Sequence, residues 1–122
     1  MSLNKLRDRA YKIADEHGFH ENWDFARALM LTVSELSEAM EADRKGQWLG
    51  NPELLSGKKL LDVEITSGEY RRTVKGFVEE EIADAIIRLL DIAGVHNIDL
   101  DWHVAAKMAY NEKRPYKHGK KY

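Results

Sequence analysis

Residues 28–41 read Ala28-Leu29-Met30-Leu31-Thr32-Val33-Ser34-Glu35-Leu36-Ser37-Glu38-Ala39-Met40-Glu41. The first six are apolar almost all round, which predicts a helical segment buried on most sides. Working outward, this helix runs from about Asn22, a good N-cap, to about Lys45, with Gly46 closing it. Upstream, Leu3, Leu6, Ala10, Ile13, Ala14 and His17 recur at three- and four-residue steps, one face of a first helix that Ser2 caps and Gly18 ends. Downstream, a third helix begins near Phe77 and turns Ile82, Ile86, Leu89, Leu90 and Ala93 inward. After a break at Gly94 to Asn97, Asp99 or Asp101 caps a fourth helix through about Lys113, and Pro115 stops it.

Between Gly46 and Gly76 the periodicity is lost. Asn51-Pro52 and Ser56-Gly57 read as turns, and Leu61, Val63 and Ile65 alternate as in a short strand. Ser67-Gly68 then turns the chain into Tyr70–Val74, which makes either a small hairpin or an irregular loop. The expectation is an all-α chain: one domain over 1–122, a four-helix bundle, an inserted loop at 46–76 and a basic C-terminal tail at 114–122.

Composition agrees. The chain has 122 residues, 8 glycines and 2 prolines, so helices meet few breakers. With no cysteine there is no disulfide, thiol nucleophile or Cys-ligated metal. No run approaches the roughly 20 apolar residues of a membrane helix. Met1–Asp8 is charged too early for a signal peptide, so a cytoplasmic location is expected.

The chemistry starts with the acids that follow the apolar run. Glu35 and Glu38 stand three apart, on one helix face. Glu81 and Asp84 form a matching pair on the third helix, Asp84 embedded among Ile82, Ala83, Ala85 and Ile86. Each pair has an ordinary explanation: Glu79–Glu81 suit a helix N-terminus, and Glu-x-x-Glu is common on solvated faces. If the pairs converge, however, two charges about 5 Å apart repel by roughly 3 kcal/mol at an effective dielectric near 20. Six such pairs total about 10–20 kcal/mol, comparable with the whole stability of a domain. Four carboxylates so placed must take up protons or hold cations. An all-oxygen donor set suits Mg²⁺ or Mn²⁺, and Mg²⁺ commonly keeps positions for substrate phosphates.

Positive charge gathers at the other end. Residues 107–122 carry a net +5, from Lys107, Lys113, Arg114, Lys117, Lys120 and Lys121 against Glu112, and the rest of the chain carries −7. A tail touching nucleic acid is one explanation. The other is a phosphate-gripping row, since Lys107 and Asn111 lie four apart on one face and Arg114 follows by three.

Taken in order, residues 30–42 (MLTVSELSEAMEA), 79–90 (EEEIADAIIRLL), Ile98-Asp99-Leu100 and 107–115 (KMAYNEKRP) resemble the MazG-like members of the all-α NTP pyrophosphatase superfamily, which includes dCTP pyrophosphatases and dimeric dUTPases. The resemblance covers roughly 19–48 and 77–121. It implies that Glu35, Glu38, Glu81 and Asp84 bind Mg²⁺ and that Lys107 and Asn111 help to hold the phosphate chain. Phe19, with His20 or Trp23 assisting, falls near the position that faces the base. It further implies cleavage of a nucleoside triphosphate between the α and β phosphates, and a homodimer or homotetramer with neither membrane nor nucleic acid as partner. House-cleaning of surplus or damaged nucleotides is the family-level role.

The chain departs from that pattern in two places. Ser34 and Ser37 stand where the family often has glycine, and 42 residues separate Glu38 from Glu81, more than is usual. The excess falls on 46–76, where it could form a lid or an oligomer contact. Lys45 and Trp48 are read as surface or loop packing. His17, His96, His103 and His118 show no ligand spacing, and no Glu-x-x-His occurs, which disfavours a di-iron bundle. Two other functions stay open: a relative acting on phosphoribosyl-ATP, and a non-catalytic helical module that binds a metal or nucleic acid.

Overall fold

The computed structural model describes residues 2–50 and 64–122, and everything described is helix, turn or extended linker. Five α-helices follow in order: α1 Leu3–Glu16, α2 Phe25–Arg44, α3 Ser67–Thr73, α4 Val78–Val95 and α5 Leu100–Glu112. The all-α expectation holds, with one helix more than the four expected. By internal contacts the chain divides into two compact units, one of Met1–Trp23 with Leu90–Tyr122, the other of Asp24–Leu89.

In the first unit the helix starts are fixed by side chains across the chain. Ser2 caps α1, its hydroxyl accepting from the Lys5 amide. The Asp101 carboxylate accepts from the Ser2 hydroxyl at 2.5 Å and the Leu3 amide at 2.7 Å, so it serves the start of α1 rather than of its own helix. Asp99 caps α5, accepting from the Trp102 amide. Asn4 joins the two helix starts: its amide donates to Asp99 at 2.9 Å, and its carbonyl oxygen accepts from the Leu100 amide at 2.9 Å. Arg7 closes the joint on the Ile98 carbonyl at 2.7 Å.

Gly94 does not break α4. It sits inside the helix because Tyr11 packs against it so closely that an added Cβ would lie 2.8 Å from the Tyr11 Cβ. The chain turns later, at Asn97, whose φ is 51°. Past α5, Lys113 caps the helix, and the turn at Tyr116–Gly119 holds Lys117 and His118 in left-handed backbone.

In the second unit α2 is capped by Asp24, which accepts from the Arg27 amide; Asn22 has φ 54°, a left-handed residue two positions too early. Gly46 ends α2 as expected, its φ of 68° letting the Gly46 and Gln47 amides return to the Asp43 and Ala42 carbonyls. The hairpin reading fails: Tyr70–Thr73 is helical. Thr66 and Glu69 form a reciprocal capping box that starts α3, and this local signal outweighs the alternating pattern before it. Leu61, Val63, Asn51-Pro52 and Ser56-Gly57 lie outside the described residues.

Burial departs most from expectation. The buried apolar residues are Ala10, Ala42, Val78, Ala85, Leu90, Ile92 and Ala93, mostly small. In the run that opens α2, Thr32 is buried and Ala28 half-buried, but Leu29, Met30, Leu31 and Val33 are exposed. On α4, Leu90 and Ala93 are inward as expected, whereas Ile82, Ile86 and Leu89 are 45–51% exposed. On α1, Ile13 and His17 are exposed as well. The apolar stripes form where the periodicity puts them, but the described residues do not cover them.

Candidate functional site

The three consecutive glutamates at the start of α4 take three separate roles, because a helix turns its side chains by about 100° per residue. Glu79 points back to the segment after α2 and accepts from the Leu49 amide at 3.0 Å and the Gly50 amide at 2.5 Å. Those bonds hold its carboxyl below the usual range. The Val78 amide donates to the Gln47 carbonyl at 2.9 Å beside them, so the end of α2 and the start of α4 are clamped together. Glu80 is buried and accepts from the Gly76 amide at 3.0 Å. The Tyr70 hydroxyl of α3 also donates to Glu80, and burial together with that carboxylate raises the phenol well above its usual value.

Glu81 faces α2. One carboxylate oxygen from each of Glu35, Glu38 and Glu81 lies within 4.8 Å of the others. A second triplet of the same tightness joins Glu81 to Glu80 and Asp84, so Glu81 is common to both. Burial, then a hydrogen bond and the negative charge of Glu38, push the Glu81 carboxyl up to about 7. Asp84 is also raised, by burial first and then by the charges of Glu35 and Glu80, with Arg88 opposing. The Glu81 Oε2 atom is buried and has no hydrogen-bond partner. Glu35 is buried too and is held by Arg88, whose Nε donates to its Oε1 at 2.9 Å.

The α2 hydroxyls do not compete for this cluster. Thr32, Ser34 and Ser37 bond back to the carbonyls of Ala28, Leu31 and Val33, which satisfies them within the helix. The two serines in the Glu-x-x-Glu stretch therefore leave the acids as the polar groups that face α4.

The structure thus brings together Glu35, Glu38 and Glu81, and sets Asp84 beside Glu81 in the second triplet. Sequence reasoning missed Glu80, Tyr70 and Arg88. The signal for Arg88 was present, since it follows Glu81 and Asp84 by seven and four on one helix face. Glu80 was hidden in the acidic run, and Tyr70 in a segment read as a hairpin arm.

The cationic and aromatic candidates belong to the first unit. Lys107 and Arg114 flank the Tyr110 ring, with their charged groups 5.0 and 5.3 Å from its centroid. The Asn111 side-chain oxygen is buried and has no hydrogen-bond partner. Phe19 is 71% exposed. His20 is fully engaged, its Nδ1 3.0 Å from Asp15 and its Nε2 2.7 Å from Asp91, with the ring stacked on Tyr11. Burial lowers its pKa, but the two carboxylates outweigh that and the net shift is upward. Trp23 meets the His20 ring edge-on and donates its indole N–H to His96 at 3.2 Å. The Trp48 indole is bonded to Asp43 at 2.9 Å and Lys45 pairs with Glu41 at 3.9 Å.

No family model, no curated protein and no solved structure matches this chain. Among the described residues no helix is long and apolar enough to cross a membrane.

Proposed function

We propose that the chain is a Mg²⁺-dependent nucleoside triphosphate pyrophosphohydrolase of the MazG-like type. It would release a nucleoside monophosphate and pyrophosphate, in keeping with a nucleotide-pool role. The observation that carries this reading is the Glu35/Glu38/Glu81 triplet, in which a buried carboxylate oxygen has no partner. Three carboxylates this close are unstable as free anions, and an orphaned oxygen among them fits a hard divalent cation with oxygen ligands. Glu35, Glu38, Glu81 and Asp84 would hold Mg²⁺, or Mn²⁺ in its place. Such an ion supplies charge neutralisation on the phosphates and a more acidic bound water.

Within this reading each side chain has a task. Glu38 is exposed whereas Glu35 is buried on Arg88, so Glu38 is the better group to accept a proton from the attacking water. Arg88 keeps Glu35 aimed. Lys107, Asn111 and Arg114 would grip the phosphate chain, the two cations kept side by side by Tyr110. Phe19 is free to stack on a base. His20 and Trp23 act on that position from behind, since their polar atoms already have partners.

The same reading takes α1, α2, α4 and α5 as the four helices of a MazG-type bundle, and a homodimer or homotetramer as the working form. Support for the oligomer comes from Met30, Leu36, Met40, Ile86 and Ile87, all more than half exposed, on the two helices that carry the acids. Exposed apolar surface of that extent marks a contact face.

The test is pyrophosphate release from a panel of canonical and modified nucleoside and deoxynucleoside triphosphates, with Mg²⁺ and with EDTA. Metal-dependent release with a monophosphate as co-product is expected. Release only from phosphoribosyl-ATP would move the assignment to that substrate. No release from any of them would reject the hydrolase.

A further inference from the structure

The segment that replaces the expected hairpin borders an open cavity of about 290 Å³ lined by Ile65, Thr66, Ser67, Tyr70, Arg71 and Lys75. Two cations face it, and neither forms a salt bridge among the described residues. In the same unit Arg44 and Lys45 pair with Glu41, and Arg88 pairs with Glu35. The cavity also borders the carboxylates, because Tyr70 lines it while its hydroxyl donates to Glu80, a member of the second acidic triplet. A positive hollow and a negative cluster therefore meet across a single phenol ring.

We propose that this cavity is the subsite for the terminal phosphates of the substrate, with Arg71 and Lys75 as their cationic ligands. The inference rests on the hydrolase reading for the identity of the substrate. An extended anion suits both sides: one end would reach a cation held by Glu81 and Asp84 while the other lies between Arg71 and Lys75. Arg71 offers a planar fork of donors and Lys75 a compact charge, the pairing that suits phosphate oxygens. Ser67 and Thr66 add hydroxyls at the rim. The departing pyrophosphate would then leave from a pocket built by α3 and the residues beside it.

Calorimetric titration of the full chain with inorganic pyrophosphate, in Mg²⁺, tests this directly. The double variant Arg71→Gln/Lys75→Gln should raise the pyrophosphate Kd at least tenfold. Lys12→Gln, on α1, should leave it unchanged, and Arg71→Lys should retain most of the binding. Orthophosphate should bind more weakly than pyrophosphate and respond less to the double variant. Both substituted side chains are on the surface, and an unaltered circular dichroism spectrum shows that the fold survives. An equal Kd for wild type and double variant overturns the proposal, as does a wild type that fails to bind pyrophosphate. If pyrophosphate binds through Arg71 and Lys75 but no nucleotide is hydrolysed, the pocket stands as a condensed-phosphate site and the hydrolase reading alone falls.

Discussion

The two compact units treat their acids in opposite ways. In the unit of Met1–Trp23 and Leu90–Tyr122 the acids are matched: half-buried Asp91 has His20, exposed Asp99 has Asn4 and the α5 start, and exposed Asp101 has the α1 start. In the unit of Asp24–Leu89, Glu35, Glu38, Glu80, Glu81 and Asp84 crowd together, Arg88 is their one salt-bridge partner among the described residues, and a Glu81 oxygen has no hydrogen-bond partner. Polar groups that complete one another stabilise a fold. Polar groups left incomplete lower its stability and are kept where they take up something from outside. The contrast singles out the acidic cluster as the incomplete part of the molecule.

The sharpest way to break this comparison is Glu38→Gln. The substitution keeps size and helix propensity while removing a charge. It should lower Mg²⁺-dependent pyrophosphate release by roughly 10²–10⁴-fold, with the circular dichroism spectrum unchanged. Near-wild-type turnover would show that Glu38 accepts no proton.

Metal binding comes next in size. If the acidic cluster holds Mg²⁺, an ion at a hundred times its Kd should add about 2.7 kcal/mol to stability, seen as a rise in Tm that EDTA reverses. Glu81→Gln should abolish that rise and, by relieving repulsion, stabilise the metal-free chain by about 1 kcal/mol. A metal-free Tm that falls on this substitution would mean the cluster is already satisfied without an ion.

In the other unit, Gly94→Ala should destabilise by about 1–2 kcal/mol through overpacking against Tyr11. Helix propensity alone favours alanine there by about 1 kcal/mol, so the sign of the measured change in Tm decides between packing and propensity.

The smallest effect is the pH response of His20. Its folded pKa lies above the unfolded 6.5, so the stabilisation is complete below pH 6.5 and is lost as pH rises through the folded value. Above that value a neutral ring donates from one nitrogen only, and Asp15 or Asp91 loses its bond. Chemical denaturation followed by tryptophan fluorescence should lose about 1 kcal/mol between pH 6 and 9. His20→Ala should flatten that slope.

Much of this was legible in the residues. Ser2, Gly18, Gly46 and Asp99 mark helix ends by chemistry that acts within one turn, so a local reading finds them. The meeting of Glu35, Glu38 and Glu81 was legible from two three-residue spacings. The rest was not, for separate reasons. The box made by Thr66 and Glu69 is as local as the other caps, but an alternation of Leu61, Val63 and Ile65 drew attention from it. Asp101 does its work on Ser2 and Leu3, a partner 99 residues away in sequence that no local rule names. The exposed Ile82, Ile86 and Leu89 were placed on the right stripe, but periodicity tells which face needs cover and not which molecule provides it.

The joint among Asn4, Arg7, Ile98, Asp99 and Asp101 also orders events during synthesis. Its halves come from the first ten residues and from positions 98–101, whereas the acidic unit is contiguous from Asp24 to Leu89. A chain emerging from the ribosome can close the contiguous unit first. Helix α1 must wait for its partner, with Leu3 and Leu6 uncovered, for as long as some ninety further residues take to be made. The nascent chain would then be most exposed to a protease or a chaperone at α1, and α5 would be the helix that ends that exposure.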